Sequence, residues 1–298
     1  MKNRKKYNNF ILLILLFLNL IFLFYYLFIV RKDFPLNDKK NIFSKDKFLR
    51  INFYVNDVNR AILINTPGRQ NILIDMSDKE NIKNITDYLI KNDSLFIKLF
   101  FYTKFYEKNI SMFNLFSNII VNKAIKIFSF DNASDIDKVV DYVKIHTEIS
   151  YGKIEKNKTI FLEPNLKIDI FYPYDKNKLE YVGSPFILLT YNKLKFLFNY
   201  NNSYKDQYFL MQNYDFMNLI KSDKINVVEY PRNFKENSFI FSPLFKKMNP
   251  DYVVLNNPSD TQENLDIGIF DIVPDFRIKR TKNNLIKIKT DGYNIVFE

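Results

Sequence analysis

The stretch Thr-Lys-Phe-Tyr-Glu-Lys-Asn, from Thr103 to Asn109, joins two segments with different hydrophobic patterns. The apolar run before it, Leu95 to Tyr102, is typical of a buried strand, and the amphipathic segment after it, Ile110 to Val121, is typical of a helix. Turns from a strand into a helix are where α/β folds present binding and catalytic groups. The stretch therefore predicts an α/β architecture and places the candidate site at this turn.

Short strands and a few helices are predicted on both sides of this turn. Upstream we predict strands over 49–55, 61–65 and 71–76, a Pro-Gly turn at 66–69 and a helix over 79–91. Downstream we predict helices over 110–122, 133–148, 203–221 and 239–248, and strands over 125–130, 159–162, 166–172, 185–191, 194–200, 225–230, 252–256, 276–279, 285–289 and 294–297. This order suits two stacked sheets with helices outside.

The composition excludes several kinds of site. The 298 residues include no Cys, so disulfides and thiolate ligands are absent. His146 is the single histidine, which excludes a zinc site built from two or three histidines of one chain. It falls in a predicted helix, where we expect a surface or packing role, and no G-x-S-x-G elbow supports a catalytic triad. The five Gly are too scattered for a nucleotide-binding loop, whereas a site made of carboxylates alone stays open.

The net charge of +11 is compatible with nucleic acid or anionic lipid as a partner. Residues 1–40 carry +6 of this charge, which leaves +5 for the 36 basic and 31 acidic residues of 41–298. The basic residues are mostly Lys and are dispersed among Asn, Ile, Phe and Tyr. Because only clustered charge supports a recognition argument, we interpret most of this excess as a solvated surface.

The N-terminal region predicts a membrane anchor. After a basic N-terminus over residues 1–9, the 21 residues of 10–30 contain no charge, and a helix of that length spans about 30 Å. The run is too long for a signal peptide and lacks a small-residue cleavage site. We therefore expect a single-pass transmembrane helix over 10–30 and a linker over 31–47. Basic residues flank both ends of the helix, and we expect the domain that follows to be extracytoplasmic.

Several stretches from residue 48 onward follow one order. Residues 61–68 read Ala-Ile-Leu-Ile-Asn-Thr-Pro-Gly, and residues 72–75 read Ile-Leu-Ile-Asp. Thr103 then follows a strand, Pro250 precedes another, and Arg280-Thr281 precedes a final hairpin. This order resembles the metallo-β-lactamase-like domain of ComEC-type competence proteins, which has T-P-G-G, L-I-D, T-H-x-H-x-D-H, L-x-x-G-D, H-H-G-S-x-x-S and R-T in the same sequence.

The resemblance covers residues 48–298 and implies a four-layer αββα sandwich, of the mixed α/β (α+β) class, with a metal site at one sheet edge. In this chain the implied metal-ligand positions are substituted by Lys104, Tyr106, Lys108, Asn109, Asn201, Arg232 and Asn233. Asp75 is a retained structural position of the family site, and Asn-Asp-Val-Asn-Arg at 56–60 replaces a glycine-rich turn. Lys and Arg have no lone pair to donate and repel a metal ion. We expect no metal, no cofactor and no catalytic residue.

Three kinds of function follow from this interpretation. The first is a non-catalytic, membrane-anchored domain that binds an unknown protein partner or serves as a scaffold, and it is the one that we favour. The second is a membrane-anchored nucleic-acid-binding module related to DNA uptake, in which the substituted positions form a pocket for an anion. The third is a hydrolase, such as a nuclease, that uses unrecognised metal ligands. The alternative for the pocket itself is that it has filled and holds no ligand.

Overall fold

A computed structural model of the chain describes residues 47–55, 60–75, 79–92, 97–103, 125–129, 149–199, 203–230, 242–255, 277–280 and 285–298. These ranges all belong to one unit, Asp46–Glu298. The predicted transmembrane helix at 10–30 and the predicted helices at 110–122 and 133–148, the second of which contains His146, lie outside them. Within these ranges, no helix combines the length and the apolar character that crossing a bilayer requires.

Among the described residues, the first sheet has eight strands in the order β17-β16-β1-β2-β3-β4-β5-β6. Neighbouring strands are antiparallel from β17 to β3 and parallel from β3 to β6. The strands are β1 (Leu49–Val55), β2 (Arg60–Asn65), β3 (Asn71–Ile74), β4 (Ile97–Tyr102), β5 (Ile125–Ser129), β6 (Ile149–Lys153), β16 (Leu285–Thr290) and β17 (Ile295–Phe297).

Within the described ranges, the second sheet has seven strands in the order β15-β14-β13-β12-β11-β8-β7, and β9 and β10 form a separate short hairpin. Its strands are antiparallel from β7 to β12 and parallel from β12 to β15. The strands are β7 (Lys158–Glu163), β8 (Leu166–Phe171), β9 (Tyr174–Asp175), β10 (Glu180–Tyr181), β11 (Phe186–Tyr191), β12 (Leu194–Phe198), β13 (Val227–Glu229), β14 (Tyr252–Leu255) and β15 (Ile278–Arg280).

The main core lies between the inner faces of the two sheets. Alternate residues of β1, among them Ile51 and Phe53, point into it, as the two-residue period of a strand requires. From the second sheet, Ile187 and Phe198 fill the same layer, and the rings of Phe53 and Phe198 lie 6.0 Å apart. The two sheets therefore bury their apolar faces against each other as a sandwich.

Helices cover the outer faces of both sheets. Helix α1 (Lys79–Lys91) packs on β1 and β2, and it buries Ile82, Ile85 and Leu89, which share one helical face. A second core cluster joins the second sheet to three further helices, α2 (Tyr204–Leu210), α3 (Tyr214–Ser222) and α4 (Ser242–Met248). The predicted α/β sandwich is confirmed, and the described elements stack as helix, sheet, sheet and helix.

The predicted single helix over 203–221 is wrong, because two helices, α2 and α3, occupy this segment. The side chain of Asn213 accepts a hydrogen bond from the Phe216 backbone N–H at 3.1 Å and so caps α3. Its Nδ2 also donates to the Tyr172 carbonyl at 2.6 Å, which fixes the break against the end of β8. Sequence patterning also missed β6 and the short β9–β10 hairpin.

Candidate functional site

Asp75 follows β3 and organises the end of β4. Its backbone has φ 56°, a left-handed conformation that Asp tolerates better than most residues, and its N–H donates to the Phe101 carbonyl at 2.8 Å. Its carboxylate accepts two hydrogen bonds from Thr103, from the backbone N–H at 2.7 Å and from the hydroxyl at 2.6 Å. The family structural position that the sequence retains is therefore a junction between two parallel strands.

Arg60 begins β2 and is buried, with 2% of its surface exposed. Its Nη1 donates to Oδ2 of Asp75 at 2.9 Å, and its Nη2 donates to Oε2 of Glu229 at 3.2 Å. Its Nε also lies 2.6 Å from Oε1 of Glu229, as a charge contact whose geometry is not that of a hydrogen bond. One guanidinium thus bridges a carboxylate of the first sheet and a carboxylate of the second.

Glu229 ends β13 and has no exposed surface. Its Oε2 also accepts a hydrogen bond from the backbone N–H of Asn199, which directly follows β12, at 3.2 Å. The bonds described so far join the ends of β3, β4, β12 and β13 to the start of β2. We call this group the Arg60 cluster, and its members are Arg60, Asp75, Thr103, Asn199 and Glu229.

The Arg60 cluster is stable only as a complete set. A buried ion is strongly disfavoured unless opposite charges and hydrogen bonds surround it. Here the guanidinium contacts both carboxylates. The backbone N–H of Thr103 donates a further hydrogen bond to Asp75, and that of Asn199 donates one to Glu229. The cluster links the two sheets. Its guanidinium supplies hydrogen-bond donors and has no lone pair to offer a metal ion.

The positions predicted for the site, Lys104, Tyr106, Lys108, Asn109, Asn201, Arg232 and Asn233, lie outside the described residues. The described strands that lead into these positions are β4, β12 and β13. Thr103 and Asn199 belong to the Arg60 cluster, and Tyr230 directly follows Glu229 and donates its N–H to the Val254 carbonyl at 2.8 Å. The described strands that precede these three segments therefore end at or beside the Arg60 cluster.

Sequence reasoning missed Arg60 and Glu229. In the sequence, Arg60 is the last residue of the segment that replaces the glycine-rich turn, and Glu229 lies in a predicted buried strand. A usable signal did exist, because each is a single charge at one end of an apolar β-run, with Ala-Ile-Leu-Ile after Arg60 and Val-Val before Glu229. Opposite charges in two buried strands predict a pair, since an unpaired buried charge is strongly unfavourable.

The carboxylates of the Arg60 cluster already have protein partners. Among the described ranges, no three His, Cys, Asp or Glu side chains are grouped so that they could hold a metal ion. Asp75 and Glu229 are the two carboxylates of the Arg60 cluster, and Arg60 stands between them. Three protein donors already occupy the Asp75 carboxylate, from Arg60 and Thr103.

No protein-family profile and no curated protein sequence matches this chain. Solved structures do match. The metallo-beta-lactamase fold protein YhfI from Bacillus subtilis matches with a TM-score of 0.56 and 11% identity, over 80% of this chain and 99% of that one. A long form RNase Z from yeast matches with a TM-score of 0.49 and 10% identity, over 86% of this chain and 44% of that one. Zn(2+)-bound PqqB from Methylobacterium extorquens matches with a TM-score of 0.42 and 9% identity, over 74% and 84%.

The similarity to YhfI extends over almost the whole of that protein. At 11% sequence identity, it shows that the two proteins share a fold and nothing about a shared function. Together with the two stacked sheets and their outer helices, it defines this chain as a protein of the metallo-β-lactamase fold. The fold hosts many chemistries, so function has to be argued from the site.

Proposed function

We propose that this chain is a membrane-anchored, non-catalytic protein of the metallo-β-lactamase fold that acts as a binding or scaffold domain. The observation that carries the proposal is the buried guanidinium of Arg60 between Asp75 and Glu229. This contact gives Asp75, the acidic position that the family resemblance retains, a structural role in joining the two sheets. Hydrolysis by this fold would need a metal at the same end of the sandwich, and a fixed positive charge there opposes metal binding.

The substituted positions support the same proposal. Lys104, Lys108 and Arg232 stand where the resemblance to ComEC-type domains implies ligands, and each is a cation in place of a lone-pair donor. The strands that lead into them end at the Arg60 cluster. We propose that these segments form a cationic, metal-free surface at that end of the sandwich, and that the chain is a degenerate relative of the ComEC-type domain.

The anchor is the second part of the proposal. We infer that residues 10–30 hold the protein in the membrane as a single-pass helix, with the globular unit on the extracytoplasmic side. The support is the length of the uncharged run. Fractionation of cells should recover the full chain with the membranes after a high-salt wash, and protease added to spheroplasts should digest the globular unit. Recovery in the soluble fraction would overturn the anchor, and protection from protease would overturn the orientation.

Metal titration tests the non-catalytic part of the proposal. A ligand that binds the folded state alone stabilises it by about 4 kcal/mol at a thousand times its dissociation constant. We expect the Tm of the purified full chain to stay within about 1 °C after addition of Zn²⁺, Mn²⁺ or EDTA. We also expect no EDTA-sensitive hydrolysis of bis(p-nitrophenyl) phosphate. A Tm that rises with metal, together with such hydrolysis, would support the hydrolase alternative instead.

A further inference from the structure

An open groove of about 690 Å³ lies between the β9–β10 hairpin and the start of α3. The hairpin contributes Leu179 and Tyr181 to it, and the helical side contributes Met211, Tyr214 and Met217. None of the residues of the Arg60 cluster lines it. We call this feature the hairpin groove, and it is a site separate from the one described above.

The apolar side chains of the hairpin groove are unusually open to solvent. Leu179 is 76% exposed and Tyr214 is 77% exposed, and Tyr181 is exposed beside them. The rings of Tyr174 and Tyr181 pack edge to face, with centroids 5.3 Å apart, and so hold each other in position. Met211 and Met217 are partly buried against the second core cluster behind them. Exposed Leu and Tyr side chains around a concave surface with such an apolar floor are typical of a protein-binding site.

The rim of the hairpin groove carries excess positive charge. Lys176, Lys221 and Lys247 line it, and Asp215 is its one acidic residue. The Asp215 carboxylate accepts a hydrogen bond from Asn157 Nδ2 at 2.7 Å. Across the part of the chain that the structure describes, none of these three lysines forms an ion pair. Such a rim favours a negatively charged ligand.

The floor of the hairpin groove is already ordered. Asn213 is buried, and its Nδ2 donates to the Tyr172 carbonyl and, at 2.9 Å, to Oδ1 of Asn157. The side chain of Gln212 accepts a hydrogen bond from the Lys176 N–H at 3.1 Å, which ties the hairpin to the helices. A groove formed in advance binds without the free-energy loss of ordering its walls.

The backbone at Leu179 is strained in a way that its packing does not explain. Its φ is 57°, in the left-handed region that disfavours a Leu side chain, and the side chain faces solvent. Upstream in the same turn, Oδ1 of Asp175 accepts a hydrogen bond from the Asn177 N–H at 2.9 Å. Strained backbone conformations of this kind are concentrated at functional sites, where the side chain is kept for its function despite the loss of stability.

We propose that the hairpin groove binds an acidic peptide segment of a partner protein, with an apolar side chain of that segment seated between Leu179, Tyr214 and the two Met. This names the partner class for the binding domain proposed above and rests on that proposal. Met and Leu walls suit aliphatic and aromatic side chains of a peptide. Binding of single-stranded nucleic acid would need aromatic faces in series, and the 65° angle between Tyr174 and Tyr181 presents an edge to a face.

The test is a selection of random twelve-residue peptides, displayed on phage, against the purified full chain in neutral detergent. We expect the enriched sequences to carry several Asp or Glu residues around a Leu, Met, Phe or Tyr. Against a synthetic copy of the best peptide, Lys221→Glu and Tyr214→Ala should each weaken binding by about tenfold or more. Lys83→Glu, the same charge reversal on α1, and Tyr293→Ala, an exposed tyrosine of the β16–β17 hairpin, should change it by less than about twofold.

Three results would overturn the proposal. They are the absence of any enriched peptide, enrichment of basic or uncharged peptides, and binding that Lys221→Glu and Tyr214→Ala leave intact. Binding of a (dT)₁₂ oligonucleotide that the same two variants abolish would assign the groove to nucleic acid instead. The metal titration on the same preparation separates the two proposals. If the chain binds neither metal nor peptide, only the proposal for the hairpin groove fails. If the chain binds metal, the non-catalytic proposal fails.

Discussion

A guanidinium that contacts two carboxylates inside a sandwich stabilises the fold only while all three charges are present. Arg60 touches Asp75 and Glu229 with nearly all of its surface buried. Replacing the whole set with apolar side chains can be neutral, whereas removing one member leaves a buried charge without its partner. At the scale of single residues, this asymmetry makes the role of the cluster measurable.

Arg60→Met should destabilise the protein by about 3–5 kcal/mol, because Asp75 and Glu229 stay buried without their shared cation. For a domain of this size the fall in Tm is about 6–20 °C, measured by thermal unfolding at pH 7. Arg60→Met combined with Glu229→Leu should recover part of that loss, since the second change removes one of the two orphaned charges. A single variant within about 2 °C of wild type, or a double variant that melts lower still, would contradict this role of the cluster.

Leu179→Asn should raise the Tm by about 2–4 °C, because Asn tolerates the left-handed backbone that costs Leu about 1 kcal/mol. Leu179→Ala is the matched control, since it also removes the exposed side chain but keeps the unfavourable φ. If the peptide-binding proposal is correct, both variants weaken binding of the selected peptide, and only the Asn variant gains stability. Equal Tm values for the two variants would show that the backbone strain is not the cause.

At the scale of elements, strand periodicity predicted most of the architecture. The strands expected at 49–55, 61–65, 166–172 and 252–256 and the helix at 79–91 match β1, β2, β8, β14 and α1 to within one residue at each end. The break between α2 and α3 was not predictable from helical pattern, because the bond from Asn213 to the Tyr172 carbonyl that fixes it is tertiary. The candidate site shows the same division. Sequence order led to Asp75, whereas the contacts of Arg60 and Glu229 join residues 169 positions apart.

The start of α2 should make stability depend on pH. Burial raises the pKa of Asp206 above its ordinary value, although hydrogen bonds from Ser203 act in the opposite direction. Between the unfolded pKa of 3.8 and the higher folded pKa, the folded state holds the proton more tightly. The contribution of Asp206 to stability is therefore largest below 3.8 and is lost as pH rises through the folded pKa.

Asp206→Asn removes this titration and keeps a side-chain oxygen as acceptor. Between pH 3 and pH 7, the Tm of the variant should increase relative to the Tm of wild type as pH rises. Asp291 supplies the opposite case, because hydrogen bonds from the Asn294 and Tyr293 N–H groups lower its pKa. Its contribution is present above 3.8 and is lost as pH falls through the lower folded pKa, so Asp291→Asn should approach wild type only in acid. Differences that do not change with pH would contradict both assignments.

At the scale of the whole molecule, the described residues form a metallo-β-lactamase sandwich whose sheets are joined by an ion cluster at one end. The parallel strands β12 and β13 end there, as do β3 and β4 of the first sheet. In an open α/β sheet the carboxyl ends of parallel strands are the usual place for ligands. In this chain the described part of that end holds Arg60, Asp75 and Glu229. We propose that the protein acts by binding a partner at the hairpin groove and not by catalysis at this end of the sheets.

The most direct test of this account is the metal content of the purified full chain, measured by elemental mass spectrometry after growth with zinc and manganese supplied. The account predicts less than about a tenth of an equivalent of either metal per chain, since the Asp75 carboxylate is committed to Arg60 and Thr103. One or two tightly held equivalents per chain, removed by EDTA with a fall in Tm, would contradict it and would show that this fold still holds a metal centre here.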